Sequence, residues 1–84
     1  MKIAAVGEKE VLVGIRLAGV KTVFETSDPK EALEYIKKLM EQDIAIVIIT
    51  QRVAEKTRME LKALSRGKAI PVLVTFPDVD IPSR

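Results

Sequence analysis

The 84-residue chain contains no cysteine, histidine, tryptophan or asparagine. Without cysteine there is neither a disulfide framework nor a thiolate nucleophile, and a cytoplasmic setting is the expectation. Without histidine the commonest general base and metal ligand is gone. Missing asparagine, together with frequent Lys/Glu pairs, points weakly to a heat-adapted source. Aromatics are 4% of the chain, namely Phe24, Tyr35 and Phe76, too few and too scattered for a base-stacking platform. No apolar run approaches the ~20 residues of a membrane span. The opening Met1–Gly7 is too short for a signal peptide and reads as a first strand.

What is present is the balance of a globular domain, 48% hydrophobic and 31% charged. The length suits one domain with a modest core. We expect a single α/β domain over residues 1–76 and a tail over 77–84, flanked by Pro77 and Pro82.

The chain is organised around Val6–Val20. Lys2–Val6 is a nearly all-apolar strand that Gly7 ends, and a helix begins within one or two residues. On the helical wheel Val11, Ile15 and Ala18 share an inner face, with Leu12, Gly14 and Gly19 at its margins. Val13 and Leu17 fall opposite, on either side of Arg16, an apolar pair that folding alone does not need. Gly14 in mid-helix costs about 1 kcal/mol against alanine, so a close backbone approach is expected there.

Lys21–Thr26 reads as an edge strand. Asp28, Pro29 and Glu31 read as N-cap, first helical residue and capping box of a helix to about Gln42. Its inward residues are Ala32, Leu33, Ile36, Leu39 and Met40. Ile44–Ile49 is uninterrupted apolar sequence, the signature of a central parallel strand buried on both faces. Thr50 is placed as the cap of one further helix, Gln51 to about Arg66, with Val53, Thr57, Leu61 and Leu64 inward and Gly67 closing it. Ile70–Phe76 is the last strand, with Pro71 arguing for an edge.

The alternation calls for a three-layer α/β/α sandwich on a four-stranded parallel sheet of order 2-1-3-4. Right-handed crossovers place the first helix alone on one face. One helix cannot cover four strands, so that face is expected either to be partly bare or to be covered by something outside this chain.

Searches for chemistry come back empty. Gly7, Gly14 and Gly19 are wrongly spaced for a dinucleotide fingerprint, and no phosphate loop is present. A phosphoacceptor domain on such a sheet needs an aspartate after its third strand, where this chain has Thr50. Glu8 reads as a solvated carboxylate favoured by the helix start. We therefore expect no catalytic residues, no bound cofactor and no metal. The one charge concentration is Arg52, Lys56, Arg58, Lys62, Arg66 and Lys68 against Glu55 and Glu60, a net +4 in a chain of net +2. It reads as a solvated helix face, or as a face for RNA phosphates or an acidic protein surface.

Gly7 and four segments together carry a family resemblance. They are Gly7 with Gly14-Ile15-Arg16-Leu17-Ala18-Gly19-Val20, Ser27 to Leu33, Ile48-Ile49-Thr50-Gln51-Arg52-Val53-Ala54-Glu55, and Pro71 to Pro77. In this order they resemble the F subunit of archaeal A-type and related V-type ATPases/ATP synthases, over nearly the whole chain. Ile15 stands where the family often has phenylalanine. Family members usually carry one more C-terminal helix, so the chain looks truncated.

The resemblance implies a receiver-like (flavodoxin-like) fold and a non-catalytic rotor component of the central stalk. It implies binding to the coiled-coil D subunit, and through it to the hexameric catalytic head and membrane ring. ATP synthesis or hydrolysis would thereby be coupled to proton or sodium ion transport. The setting implied is cytoplasmic and peripheral to the membrane, with no direct insertion and no nucleic acid partner. The expected partner-binding residues are Val13, Arg16 and Leu17 on the first helix and Arg52, Lys56 and Met59 on the third. The alternatives are a stand-alone RNA- or protein-binding module, and a small-ligand regulatory domain whose crevice Gly7, Glu8, Thr50 and Gln51 would line.

Overall fold

The computed structural model describes residues 2–67 and 71–77. Its elements are β1 (Ile3–Gly7), α1 (Lys9–Leu17), β2 (Thr22–Glu25), α2 (Pro29–Met40), β3 (Ile46–Thr50), α3 (Gln51–Lys56), α4 (Arg58–Ser65) and β4 (Val72–Phe76). The strands form one parallel sheet of order β2-β1-β3-β4, as the sequence pattern predicts. Ile70, where the last strand was expected to begin, and residues 78–84 of the tail lie outside the described residues.

Register divides the sheet into two faces. Ala4, Val6, Val47 and Ile49 point to the side where Ala32, Ile36 and Leu39 of α2 and Val53 of α3 complete the larger core. Phe24 stacks on Tyr35 there, with ring centroids 4.6 Å apart, and ties β2 to α2. Ala5 points the other way, into a small cluster with Leu12 and Ile15 of α1. Among the described residues the first helix is thus alone on its face. β3 is fully buried only on the α2 side, because Ile46 and Ile48 are half-buried under the incomplete layer. The expectation of burial on both faces is corrected to that extent.

Local details depart from expectation in physically legible ways. In α1, Leu12 lies at the centre of the buried face and Ala18 is exposed, since the helix ends at Leu17. Gly19 then turns the chain at φ +112°, a conformation open to glycine. At the start of α2 the Asp28 carboxylate accepts from the Lys30 N–H at 3.3 Å. The Asp28 N–H donates to Thr26 Oγ1 at 3.1 Å, so Thr26 and not Glu31 supplies the reciprocal bond.

The long third helix is broken at Thr57, whose φ of −118° and ψ of 19° leave the helical region. The buried Thr57 hydroxyl donates to the Val53 carbonyl at 2.7 Å, sharing that oxygen with its own N–H at 3.1 Å. Such back-bonding by a β-branched residue bends helices. The wheel pattern carries across the break, which is why the sequence reads as one helix.

Candidate partner surfaces

At the carboxyl ends of β1 and β3, Gly7 lies against Thr50. A Cβ built on Gly7 would overlap the Thr50 side chain, so only glycine admits a threonine here. Thr50 occupies the N-cap position of α3 without capping it through its side chain. Its hydroxyl instead donates to Glu8 Oε1 at 2.9 Å. Glu8 is 8% exposed and Thr50 is fully buried, which corrects the reading of Glu8 as a solvated carboxylate. The sequence held a signal for this pair: a carboxylate directly after β1 and a hydroxyl at the last residue of the adjacent parallel β3, one register position apart.

The pair fills the crevice where a sheet of this order receives ligands. Beside it, an open cleft of about 410 Å³ is lined by Glu8, Lys9, Glu10, Glu25, Thr26, Ser27 and Arg52. Three carboxylates, two cations and two hydroxyls line it with no apolar residue among them, unlike the predominantly hydrophobic and aromatic lining of a small-molecule site. No group of side chains among the described residues is arranged to hold a metal ion.

The six residues expected to meet a partner are all on the surface, in two separate patches. Val13 is 51% exposed and Leu17 is 85% exposed on the outer side of α1. Arg16 also points outward, but its guanidinium reaches Glu25 of β2 at 3.9 Å, so it is partly engaged within the chain. Arg52 and Lys56 are exposed on α3, and Met59, at 80% exposure, lies in the first turn of α4 beyond the break. The two patches lie on opposite faces of the sheet.

The α1 side holds a third apolar feature absent from the expected site. β3 and β4 are in register with Ile46 beside Val72 and Ile48 beside Val74. Val72 and Val74 are 50% and 42% exposed, forming a bare shelf next to α1. Strand order and helix count disclosed the shelf; the wheel, which treats each helix alone, did not join it to Val13 and Leu17.

The sequence matches the family model described as ATP synthase (F/14-kDa) subunit over residues 3–84. It is 38% identical over 79 residues to the F subunit of the A-type ATP synthase of Methanocaldococcus jannaschii, covering 93% of this chain and 76% of that protein. It is 31% identical over 81 residues to the corresponding subunit of Methanothermobacter thermautotrophicus, covering 96% of this chain and 76% of the relative. Among solved structures, the F subunit of the V-type ATP synthase from Archaeoglobus fulgidus has the same fold, with a TM-score of 0.74 at 24% identity. That superposition covers 89% of this chain and 95% of the other.

Proposed function

The chain belongs to the family of the ATP synthase (F/14-kDa) subunit, and we propose that it serves its complex as a non-catalytic central-stalk component that binds the coiled-coil D subunit. In that role it transmits rotation between the catalytic head and the membrane ring, and so helps couple ATP synthesis or hydrolysis to proton or sodium ion movement. It works from the cytoplasmic side as a peripheral part of the assembly. No helix among the described residues is long and apolar enough to cross a membrane.

The observation that carries this reading is the outward pair on α1. Val13 and Leu17 lie one helical turn apart at 51% and 85% exposure, with Arg16 beside them. A coiled coil offers apolar ridges edged with carboxylates, and apolar anchors beside a cation suit such a surface. Arg52, Lys56 and Met59 form the competing patch, and a slender coiled coil cannot bury both faces at once. The crevice at the strand ends is filled by Glu8 and Thr50, which disfavours a nucleotide-binding reading.

The test is binding to the D subunit of the same source, measured for a Val13→Ala/Leu17→Ala variant and an Arg52→Glu/Lys56→Glu variant alongside their melting temperatures. The α1 variant is expected to lose about 2 kcal/mol or more of binding free energy, the scale of an interface hot spot, with its melting temperature little changed. Equal binding by both variants and the parent rejects these two surfaces.

A further inference from the structure

The sheet has two edges, and the chain treats them differently. In a parallel ladder the N–H and C=O of one residue point to the same neighbouring strand, and successive residues alternate between the two sides. The Thr26 N–H donates to the Gly7 carbonyl at 2.8 Å, so on β2 it is Val23 and Glu25 that turn their backbone outward. That edge is four residues long, it follows Lys21, and its Glu25 is paired with Arg16. Short length and charge are the ordinary protection of an edge strand.

β4 forms the other edge, and its five residues, Val-Leu-Val-Thr-Phe, carry no charge. The Val72 N–H donates to the Ala45 carbonyl at 2.9 Å. Val72, Val74 and Phe76 therefore bond toward β3, while Leu73 and Thr75 turn their N–H and C=O groups away from the sheet. These four groups have no partner among the described residues. By the same alternation Pro71 and Pro77 stand at the two ends of the outward row, and neither has an N–H. The row is a window of two donors closed by proline on both sides.

The flanks of the window are as distinct as its backbone. On the α1 side stand Val72 and Val74, half-exposed and unclaimed by either core cluster. On the other side, at Thr75, an open cleft of about 450 Å³ is lined by Gln51, Ala54, Glu55, Arg58, Thr75 and Pro77. Gln51 Nε2 donates to Glu55 there at 3.3 Å. Arg58 is exposed and makes no ion pair among the described residues.

We propose that β4 accepts a short extended segment of a partner chain as a fifth strand of the sheet. A row of outward N–H and C=O groups is matched by main chain in extended form, the means by which sheet edges capture peptides. Whichever way the added strand runs, its side chains alternate in step with those of β4. Residues opposite Val72, Val74 and Phe76 lie on the α1 side, and apolar ones cover the shelf. The residue opposite Thr75 lies over the cleft, where a carboxylate meets Arg58. The occupant is an extended segment that reads apolar, acidic, apolar. A second copy does not fit this description, because its β4 has no carboxylate to offer. The contact is small, with the affinity of a transient interaction. It uses neither Val13 nor Leu17, so it stands whether or not a stalk partner binds α1.

The experiment is nuclear magnetic resonance on the isotope-labelled full chain, titrated to about 5 mM, beyond the millimolar limit of weak binding. The probe is the end-capped peptide Gly-Val-Glu-Val-Glu-Val-Gly, whose pattern is the same in both directions, with Gly-Val-Lys-Val-Lys-Val-Gly as its charge-reversed control. Before peptide is added, the amides of Leu73 and Thr75 should exchange with solvent about tenfold or more faster than that of Val74. With the acidic peptide both should slow and shift together. The lysine peptide should bind about threefold or more weakly, the scale of an exposed ion pair, and Arg58→Glu should reverse that preference. Thr75→Pro removes an outward N–H that makes no bond in the sheet, a place where an edge strand tolerates proline. It should abolish binding of both peptides with the thermal midpoint kept within a few degrees. If that variant melts lower, the charge exchange at Arg58, which touches no backbone bond, decides alone. Leu73 and Thr75 amides as slow as Val74 in the free chain, or no binding of the acidic peptide, overturn the proposal. Protection that rises with the concentration of the chain alone also overturns it and gives the edge to a second copy. Binding unchanged by Thr75→Pro, or a preference unmoved by Arg58→Glu, overturns the geometry.

Discussion

Thr50 Oγ1 donates a 2.9 Å hydrogen bond to Glu8 Oε1, joining the starts of α3 and α1 across 42 residues of sequence. Both residues are buried, and Gly7 makes the approach possible by having no Cβ. At this end of the sheet, where related architectures place a ligand or a phosphoacceptor, the chain has closed the site with its own side chains.

Thr50→Val removes the donor and leaves the buried Glu8 carboxylate without it. An orphaned buried acceptor costs about 1–3 kcal/mol, and a shortfall of that size in chemical denaturation is expected. Glu8→Gln keeps a carbonyl oxygen that can accept the same bond and should cost less. Equal losses for the two variants would show that packing, and not the hydrogen bond, carries the contribution.

Gly7→Ala forces its methyl group into the Thr50 side chain. Overpacking of a tight contact typically costs about 1–3 kcal/mol, and the loss should appear in the melting temperature. Combined with Thr50→Ala, which empties the space, the pair should be less destabilised than the two single effects added. A strictly additive double variant would show that Gly7 matters for another reason.

Gly14→Ala should act in the opposite direction. The Cβ meets no atom of the same chain, and alanine favours a helix interior by about 1 kcal/mol over glycine. Measured at low micromolar concentration, the variant should be more stable than the parent by roughly that amount. Destabilisation would reveal an intrachain contact at Gly14 that the structure does not contain.

Much of this was legible beforehand because the strongest signals are local or periodic. The uninterrupted run of β3, the Asp28-Pro29 start of α2 and the alternation of strand and helix fix the sheet order by connection rules. What escaped depends on contacts between distant segments. Glu8 reads as solvated until β3 brings Thr50 beside it, and Glu31 reads as the reciprocal cap until the Thr26 hydroxyl takes the Asp28 N–H. The break at Thr57 escaped because inward residues recur on both sides of it. At the candidate surfaces the outward direction of Val13, Leu17 and Met59 was readable from the wheel. The adjacency of α1 to the bare Val72 and Val74 requires the assembled sheet.

The α2 cap offers a direct comparison. Thr26→Val removes the acceptor of the Asp28 N–H, while Glu31→Ala removes a side chain in the expected capping box that makes no cap bond in the structure. Loss of a helix cap costs about 1 kcal/mol. Thr26→Val is expected to lose about that much in denaturant melts, and Glu31→Ala only the few tenths of a favourable first-turn charge. A larger loss for Glu31→Ala would reinstate the capping box.

The two faces of the sheet should answer differently to the same substitution. Val47 is fully buried between the strands and α2, whereas Val74 is 42% exposed on the shelf beside α1. An aspartate at Val47 would place an unpaired carboxylate in the larger core. It would cost several kcal/mol, a large part of the stability a domain of this size possesses. An aspartate at Val74 can turn to water without disturbing either core cluster. Val47→Asp is therefore expected to abolish the cooperative thermal transition, and Val74→Asp to keep it within a few degrees of the parent. Far-ultraviolet circular dichroism recorded through both melts at low micromolar concentration checks this. If Val74→Asp also unfolded the chain, the shelf would be part of the folding core, and its assignment as a docking face would be wrong.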